Sequence, residues 1–158
     1  MQAVRVNGHV YHVCKDDPWN RSGAGPVVVF SNSLGTDMRV WDPVLPLLPA
    51  SWRIFRYDTA GHGLSDDPGP MAIDRHAEDL AALLDACGIE RAAFVGLSVG
   101  GLIGQALVKA RPNLVSALVL CSTAARIGTD QAWNERIAAR REAALKAIAD
   151  SVMQRWLS

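Results

Sequence analysis

The sequence lacks the features that mark several large classes of protein. Its 16 basic and 16 acidic residues give a formal net charge of zero, so nothing favours nucleic acid or an anionic membrane surface as a partner. No apolar stretch reaches membrane-spanning length, and no basic region followed by an apolar core stands at the start. We therefore expect a soluble cytoplasmic protein without a nucleic-acid or membrane partner, and the sequence leaves its oligomeric state open.

Cysteine is also scarce. The three cysteines, Cys14, Cys87 and Cys121, are widely spaced. None belongs to a C-x-x-C pair or lies near a histidine at the spacing of metal ligands. An odd and scattered set of this kind is typical of small buried side chains in a reducing compartment.

What the sequence does contain is a regular series of apolar runs. Two short strands are predicted at residues 4–6 and 10–14, because Asn7-Gly8 between them is a strong signal for a tight turn. Further apolar runs have the length and composition of buried strands. These runs are residues 26–31, 53–58, 92–96 and 115–121.

Helical patterns lie between and after these strands. The segments are residues 40–48, which prolines interrupt, and residues 74–87, 99–110 and 131–157. Asp74 is predicted to be a helix N-cap, and Gly88 fits the C-terminal stop of the same helix. The order of elements predicts an α/β fold with a mostly parallel sheet and helices on both faces.

The central chemical signal is Gly96-Leu97-Ser98-Val99-Gly100, between a predicted strand and a predicted helix. This G-x-S-x-G pattern is typical of a nucleophile elbow, in which a serine stands at the apex of a strained turn. A side chain at Gly96 or Gly100 would collide with neighbouring backbone. The turn would raise the Ser98 hydroxyl above the sheet and direct the Val99 N–H at a forming oxyanion. We predict that Ser98 is the nucleophile and Val99 an oxyanion donor.

Two alternatives concern the same glycine-rich turn. A strand-to-helix turn of this kind also suits phosphate binding, but the dinucleotide fingerprint needs glycine where Ser98 stands. Val119 and Leu120 occupy the place of its acidic residue, and no Gly-Lys-Ser/Thr follows for a P-loop. Nucleotide binding is therefore disfavoured, and a purely structural glycine turn remains open.

A second motif, Ser31-Asn32-Ser33-Leu34-Gly35, follows the first buried strand. In a sheet with a nucleophile elbow, the loop at this position supplies the other oxyanion-hole N–H. We predict that Leu34 is this donor. The alternative is a simple glycine turn.

A third motif places His62 between two glycines after a strand. A catalytic base must lie within hydrogen-bond reach of the serine, whereas the composition of this loop suggests tight backbone packing. We therefore predict a structural role for His62. His9 and His12 lie in the first hairpin and His76 at the start of a helix, and no histidine follows Ser98.

These three motifs together resemble the α/β-hydrolase fold, and finer features resemble the 3-oxoadipate enol-lactonases. The resemblance covers essentially the whole chain. Its most specific stretch is Ser-Thr-Ala-Ala-Arg-Ile-Gly-Thr at residues 122–129, with Trp-Asn-Glu-Arg at 133–136. Other matching stretches are residues 31–37, 41–42, 56–58 and 96–104.

The resemblance implies hydrolysis of 3-oxoadipate enol-lactone to 3-oxoadipate, in the β-ketoadipate pathway, without metal or cofactor. Ser98 would attack the lactone carbonyl, and the amides of Val99 and Leu34 would hold the oxyanion. Arg126 could contact the carboxylate of this small-molecule substrate, or simply be solvated. Trp133 resembles the start of the family's lid, or merely anchors its helix.

The sequence departs from the family in length. The triad order of this fold is serine, acid, histidine, and only about six strands are readable here, fewer than the family's complete sheet. Residues 1–129 would be the N-terminal part of the core and 130–158 the start of the lid. We expect the chain alone to be inactive, with an unpaired apolar edge strand. The alternatives are another ester, lactone or C–C hydrolase of the same fold, or a non-catalytic fragment.

Overall fold

The computed structural model describes residues 1–15 and 25–142. The strands are β1 (Gln2–Val6), β2 (His9–Cys14), β3 (Val27–Ser31), β4 (Arg53–Tyr57), β5 (Ala92–Leu97) and β6 (Val115–Cys121). The helices are α1 (Ile73–Ala86), α2 (Val99–Ala110) and α3 (Asp130–Glu142). The sheet, α1 and α2 belong to one unit, Met1–Arg126, and a second unit, which begins at Ile127, contains α3.

The strands form one sheet in the order β1-β2-β4-β3-β5-β6. β1 and β2 are antiparallel to their neighbours, whereas β4, β3, β5 and β6 run parallel to one another. The mostly parallel sheet predicted from the sequence is therefore confirmed. Ser31 at the end of β3 pairs with Gly96 at the end of β5, so two of the sequence motifs leave the sheet side by side. Ligands of open parallel sheets bind outside this carboxyl edge.

The two faces of the sheet are covered differently. Residues of α1 and α2, such as Leu83 and Ile103, pack with Val29 on one face. On the other face, Val28 packs with Trp41 and other side chains of the segment after β3. This segment forms the 3₁₀ turns Met38–Trp41 and Leu45–Leu47 rather than an α-helix. Its prolines remove the amide donors that a longer helix would need.

The ends of α1 show one confirmed and one wrong prediction. Gly88 adopts φ 69° just after the helix, and the Ile89 N–H donates to Leu84 O at 2.9 Å, which is a glycine stop. Asp74 is not the N-cap, because that position is Ala72 and carries no capping side chain. Asp74 lies instead within the first turn, where its negative charge complements the positive end of the helix.

Two predicted elements need separate mention. β6 lies at the edge of the sheet, and Val119 and Leu120 are 49% and 46% exposed, so the described part of the chain has the predicted apolar edge strand. The predicted helix at 131–157 is observed as α3, and its predicted continuation lies outside the described residues. Within the described ranges, we find no helix with both the length and the apolar character to cross a bilayer.

Both tyrosines of the sequence, Tyr11 and Tyr57, are buried. Burial raises the pKa of Tyr57 from 10.0 to about 12. Burial raises the pKa of Tyr11 even further, helped by its hydrogen bond of 2.5 Å to the buried Asp79 carboxylate. Both phenols therefore keep their protons in the folded chain at pH values that ionise an unfolded one.

We expect the free energy of unfolding to fall as the pH rises above about 10. Above that pH the unfolded chain releases the phenol protons and the folded chain retains them, so the unfolded state is favoured. Tyrosinate absorbance should therefore appear together with the loss of native circular dichroism. The Tyr57→Phe variant should retain only the part of this effect that comes from Tyr11. Tyrosinate formation in a chain that keeps its native spectrum would contradict the prediction.

Candidate active site

Ser98 occupies the sharp turn between β5 and α2. Its backbone has φ 53° and ψ −114°, a combination that residues with a Cβ rarely adopt. Such a conformation costs about 1–3 kcal/mol and persists only where the surroundings enforce it. The side chain is half-buried. These torsions agree with the apex of the predicted elbow and not with an ordinary helical residue.

Glycine is needed at both predicted positions because backbone fills the space of a side chain. A Cβ on Gly96 would lie 2.5 Å from Gly100 O. A Cβ on Gly100 would overlap Ser31 O and would lie 2.8 Å from Asn32 O. The loop after β3 therefore lies directly against the first turn of α2, which brings the first and second sequence motifs together.

The segment after β6 holds the strained turn in place. The Ser98 N–H donates to Cys121 O at 2.9 Å, and the Thr123 hydroxyl donates to Ser98 O at 2.7 Å. The Gly101 N–H donates to the same carbonyl at 2.9 Å. A Cβ on Gly101 would lie 2.5 Å from Thr123 Cγ2. Thr123 thus stabilises the elbow by one hydrogen bond and by close packing, a role that the sequence analysis did not predict.

Replacement of Thr123 by valine should lower the free energy of unfolding by about 1 kcal/mol, the usual net contribution of such a hydrogen bond. Valine keeps the shape but leaves Ser98 O without the hydroxyl donor. Thr123→Ser is the matched control, because it keeps the hydroxyl and loses only the methyl group beside Gly101. Urea unfolding of the two variants and the wild type measures the difference. A serine variant no more stable than the valine variant would count against this hydrogen bond.

The loop after β3 is fixed at its start by a buried side chain. Asn32 is 2% exposed. Its Nδ2 donates to Tyr57 O at 2.9 Å, and its Oδ1 accepts from Trp41 Nε1 at 2.9 Å. Ser31 Oγ also hydrogen-bonds to the Tyr57 hydroxyl at 2.9 Å. The next residues therefore leave the sheet in a defined direction.

The predicted oxyanion donors lie on two different elements. Leu34 belongs to a turn closed by a bond of 3.2 Å from the Thr36 N–H to Ser33 O. The Gly35 N–H donates to His62, and no described residue accepts from the Leu34 N–H. Val99 is the first residue of α2. At this position helix geometry leaves the amide N–H without an intrahelical acceptor, and the positive end of the helix dipole lies here.

Asp58 connects this loop to the His62 loop and was not singled out by the sequence analysis. It is 2% exposed, and its carboxylate accepts from Met38 N at 2.8 Å, Leu64 N at 3.0 Å and His12 Nδ1 at 2.8 Å. A Cβ on Gly63 would overlap this carboxylate. An acidic residue at a strand end, followed by a glycine-rich loop rich in backbone donors, is the signal that could have identified it.

Two further predicted residues lie beyond β6. Arg126 is exposed at the end of the first unit. In the second unit, Trp133 Nε1 donates to Ile127 O at 2.6 Å, and its indole lies beside Gly128. Trp133 therefore anchors the start of α3, which is the second of the two roles that the sequence analysis gave it. The roles of Arg126 and Trp133 toward a substrate stay predictions.

The described residues place the predicted nucleophile beside the predicted oxyanion donors, and they do not identify a base. Both ring nitrogens of His62 bond to main-chain atoms, and His12 Nδ1 bonds to Asp58. No histidine follows Ser98 in the sequence. A serine on a strained turn with main-chain amides beside it is the arrangement that nucleophilic attack and oxyanion stabilisation in acyl transfer require.

Comparison with known proteins places this geometry in a family. The sequence profile of the alpha/beta hydrolase fold matches residues 26–156. The chain is 40% identical over 134 residues to 3-oxoadipate enol-lactonase 2 of Acinetobacter baylyi, a match that covers 84% of this chain and 50% of that enzyme. The chain thus spans about half the length of this curated relative.

Solved structures give the same result. The enol-lactonase from Burkholderia xenovorans LB400 matches with a TM-score of 0.90 and 41% identity, over 98% of this chain and 59% of that chain. A hydrolase from Pseudomonas aeruginosa PA01 matches with a TM-score of 0.83 and 37% identity, over 96% of this chain and 57% of that chain. The profile match, the sheet order and the Ser98 elbow agree, and the chain belongs to the alpha/beta hydrolase fold family.

Proposed function

We propose that this chain is the nucleophile-bearing part of a serine hydrolase that opens 3-oxoadipate enol-lactone to 3-oxoadipate, a step of the β-ketoadipate pathway. The observation that carries the proposal is the strained backbone of Ser98 beside the loop after β3. The identity of 40% to an enol-lactonase supports the choice of substrate. The protein would act in the cytoplasm.

The reaction would proceed by acyl transfer. Ser98 Oγ attacks the lactone carbonyl carbon and loses its proton to a base, and the carbonyl oxygen becomes an oxyanion held by the amides of Val99 and Leu34. Collapse of this intermediate breaks the ring C–O bond and releases the substrate oxygen as an enolate, which takes up a proton at carbon and becomes the 3-oxo group. Water then hydrolyses the serine ester and yields the second carboxylate. Neither metal nor organic cofactor is needed for these steps.

The acid and the base of the triad are the parts of the site that the described residues do not identify. The triad order of this fold places the acid and the histidine after the serine in the chain, and no histidine follows Ser98 in this sequence. Residues 1–129 would then be core and 130–158 the first part of a lid. Arg126, just beyond β6, would bind the substrate's free carboxylate.

The test compares two proteins. The first is the 158-residue chain. The second, which we call the extended protein, is a fusion of this chain to the C-terminal part of the Burkholderia xenovorans enol-lactonase, the part of that enzyme that this chain does not cover. Each is given the enol-lactone and a p-nitrophenyl ester, and acid release is titrated at constant pH.

We expect lactone opening by the extended protein, much slower ester hydrolysis, and no activity of the 158-residue chain. A preference for the ester would favour a general esterase of the same fold. Turnover by the 158-residue chain would contradict its expected inactivity. A folded extended protein that hydrolyses neither substrate would contradict the proposed function.

A further inference from the structure

His62 bonds to main-chain atoms at both ring nitrogens. Nδ1 lies 3.0 Å from Ala60 O, and Nε2 lies 2.9 Å from Gly35 N. A carbonyl oxygen only accepts a hydrogen bond and an amide N–H only donates one. The imidazole must therefore be neutral, with its proton on Nδ1 and a lone pair on Nε2 directed at Gly35.

We propose that His62 is a positioning residue that determines which amide of the turn after β3 remains free for the oxyanion. This inference rests on the proposed function. By accepting from Gly35, the ring occupies one donor of the turn, and the Thr36 N–H is occupied by Ser33 O. The Leu34 N–H is left for the substrate. By holding the Gly35 N–H, the ring also fixes the orientation of the neighbouring peptide group that carries the Leu34 N–H.

The loop that carries His62 is itself held firmly by backbone hydrogen bonds. The His62 N–H donates to Thr59 O at 2.9 Å, and the Ser65 N–H donates to His62 O at 3.1 Å. The Gly61 N–H donates to Asp66 O at 2.9 Å. A ring on such a support can hold its partner in place instead of following its movements.

A separate connection explains why the effect of His62 should be local. The Asp58 carboxylate accepts from Met38 on the loop after β3 and from Leu64 on the His62 loop. Neither bond involves the His62 side chain, so the two loops should stay together when His62 is replaced. What is lost is the bond to Gly35, which acts on the exposed turn next to Leu34. The change should therefore lower kcat more than the stability of the fold.

Substitution of His62 by asparagine or by glutamine tests the two hydrogen bonds of the ring separately. Asparagine reaches about as far as Nδ1, so His62→Asn keeps a donor for Ala60 O and loses the acceptor for Gly35. Glutamine reaches about as far as Nε2, so His62→Gln keeps the acceptor for Gly35. In the extended protein we expect His62→Asn to lower kcat about tenfold with little change in KM, less than the loss of a whole oxyanion donor. His62→Gln should stay within about twofold of the wild type.

A spectroscopic measurement on the 158-residue chain tests the bond without any activity. Nitrogen NMR of the imidazole should show a protonated Nδ1, an unprotonated Nε2 and a coupling between Nε2 and the Gly35 amide nitrogen. A proton on Nε2, or no coupling to Gly35, would overturn the proposal, as would equal kcat values for His62→Asn and the wild type. If the coupling is present and Ser98→Ala leaves turnover unchanged, the failure belongs to the proposed function.

Discussion

Alanine at position 98 is expected to reduce kcat/KM of the extended protein for the enol-lactone by about four to six orders of magnitude, the range seen when the nucleophile of a serine hydrolase is removed. In the proposed mechanism, the oxygen of this hydroxyl forms the covalent bond with the lactone carbonyl carbon. The residual rate would come from the amides of Val99 and Leu34 acting on the lactone with water as nucleophile.

This effect should appear without loss of the fold. Alanine retains the Cβ, so the backbone at φ 53° is neither relieved nor further strained. Ser51→Ala is a matched control, because that serine is exposed and lies in the turn before β4, outside the site. The Ser51 variant should retain wild-type turnover. Wild-type turnover in a folded Ser98→Ala protein would exclude Ser98 as the nucleophile.

The second large effect is expected at Gly100. A Cβ at this position would overlap the backbone carbonyl of Ser31 and approach that of Asn32. Backbone cannot rotate away as a flexible side chain can, so α2 or the loop after β3 must move. We expect Gly100→Ala to lower the free energy of unfolding by about 3 kcal/mol, at the upper end of overpacking effects, and to abolish activity by separating the two oxyanion donors.

Gly69→Ala separates this steric effect from an ordinary loss of glycine. Gly69 has φ 84°, and a Cβ there would meet nothing within 4 Å. Its replacement should cost about 1–2 kcal/mol from backbone strain alone and leave the site intact. Urea unfolding and lactone hydrolysis measured on both variants decide the matter. Equal losses of stability and activity would contradict the close approach of the loop to α2.

Local signals in the sequence were sufficient for much of the fold. α2 begins and ends at Val99 and Ala110 as predicted, because a glycine-rich turn and a proline mark its two ends. Asn7 and Gly8 adopt φ 48° and 89°, the conformation that their pairing predicts for a tight hairpin turn. In each case the deciding interactions lie within a few residues of the chain, where composition reports them directly.

The remaining features depend on contacts between distant segments. Asp58 bonds to His12 and Met38, which lie 46 and 20 residues away, and no local pattern specifies such partners. The same holds for the bond between His62 and Gly35. The prediction for Asp74 failed for a different reason. Asp is favoured both at the N-cap and within the first turn, so the local pattern does not decide between the two positions. The sequence could predict the strained turn at Ser98 and the loop beside it, but not the polar groups that hold that loop.

The most direct test of the central claim, that a strained turn presents Ser98 as an activated nucleophile, is covalent labelling. The extended protein is treated with a fluorophosphonate, digested and analysed by mass spectrometry. We predict one adduct, on the peptide that contains Ser98, and none in the Ser98→Ala variant. An adduct on another residue, or an unlabelled Ser98 in a protein that hydrolyses the lactone, would contradict the claim.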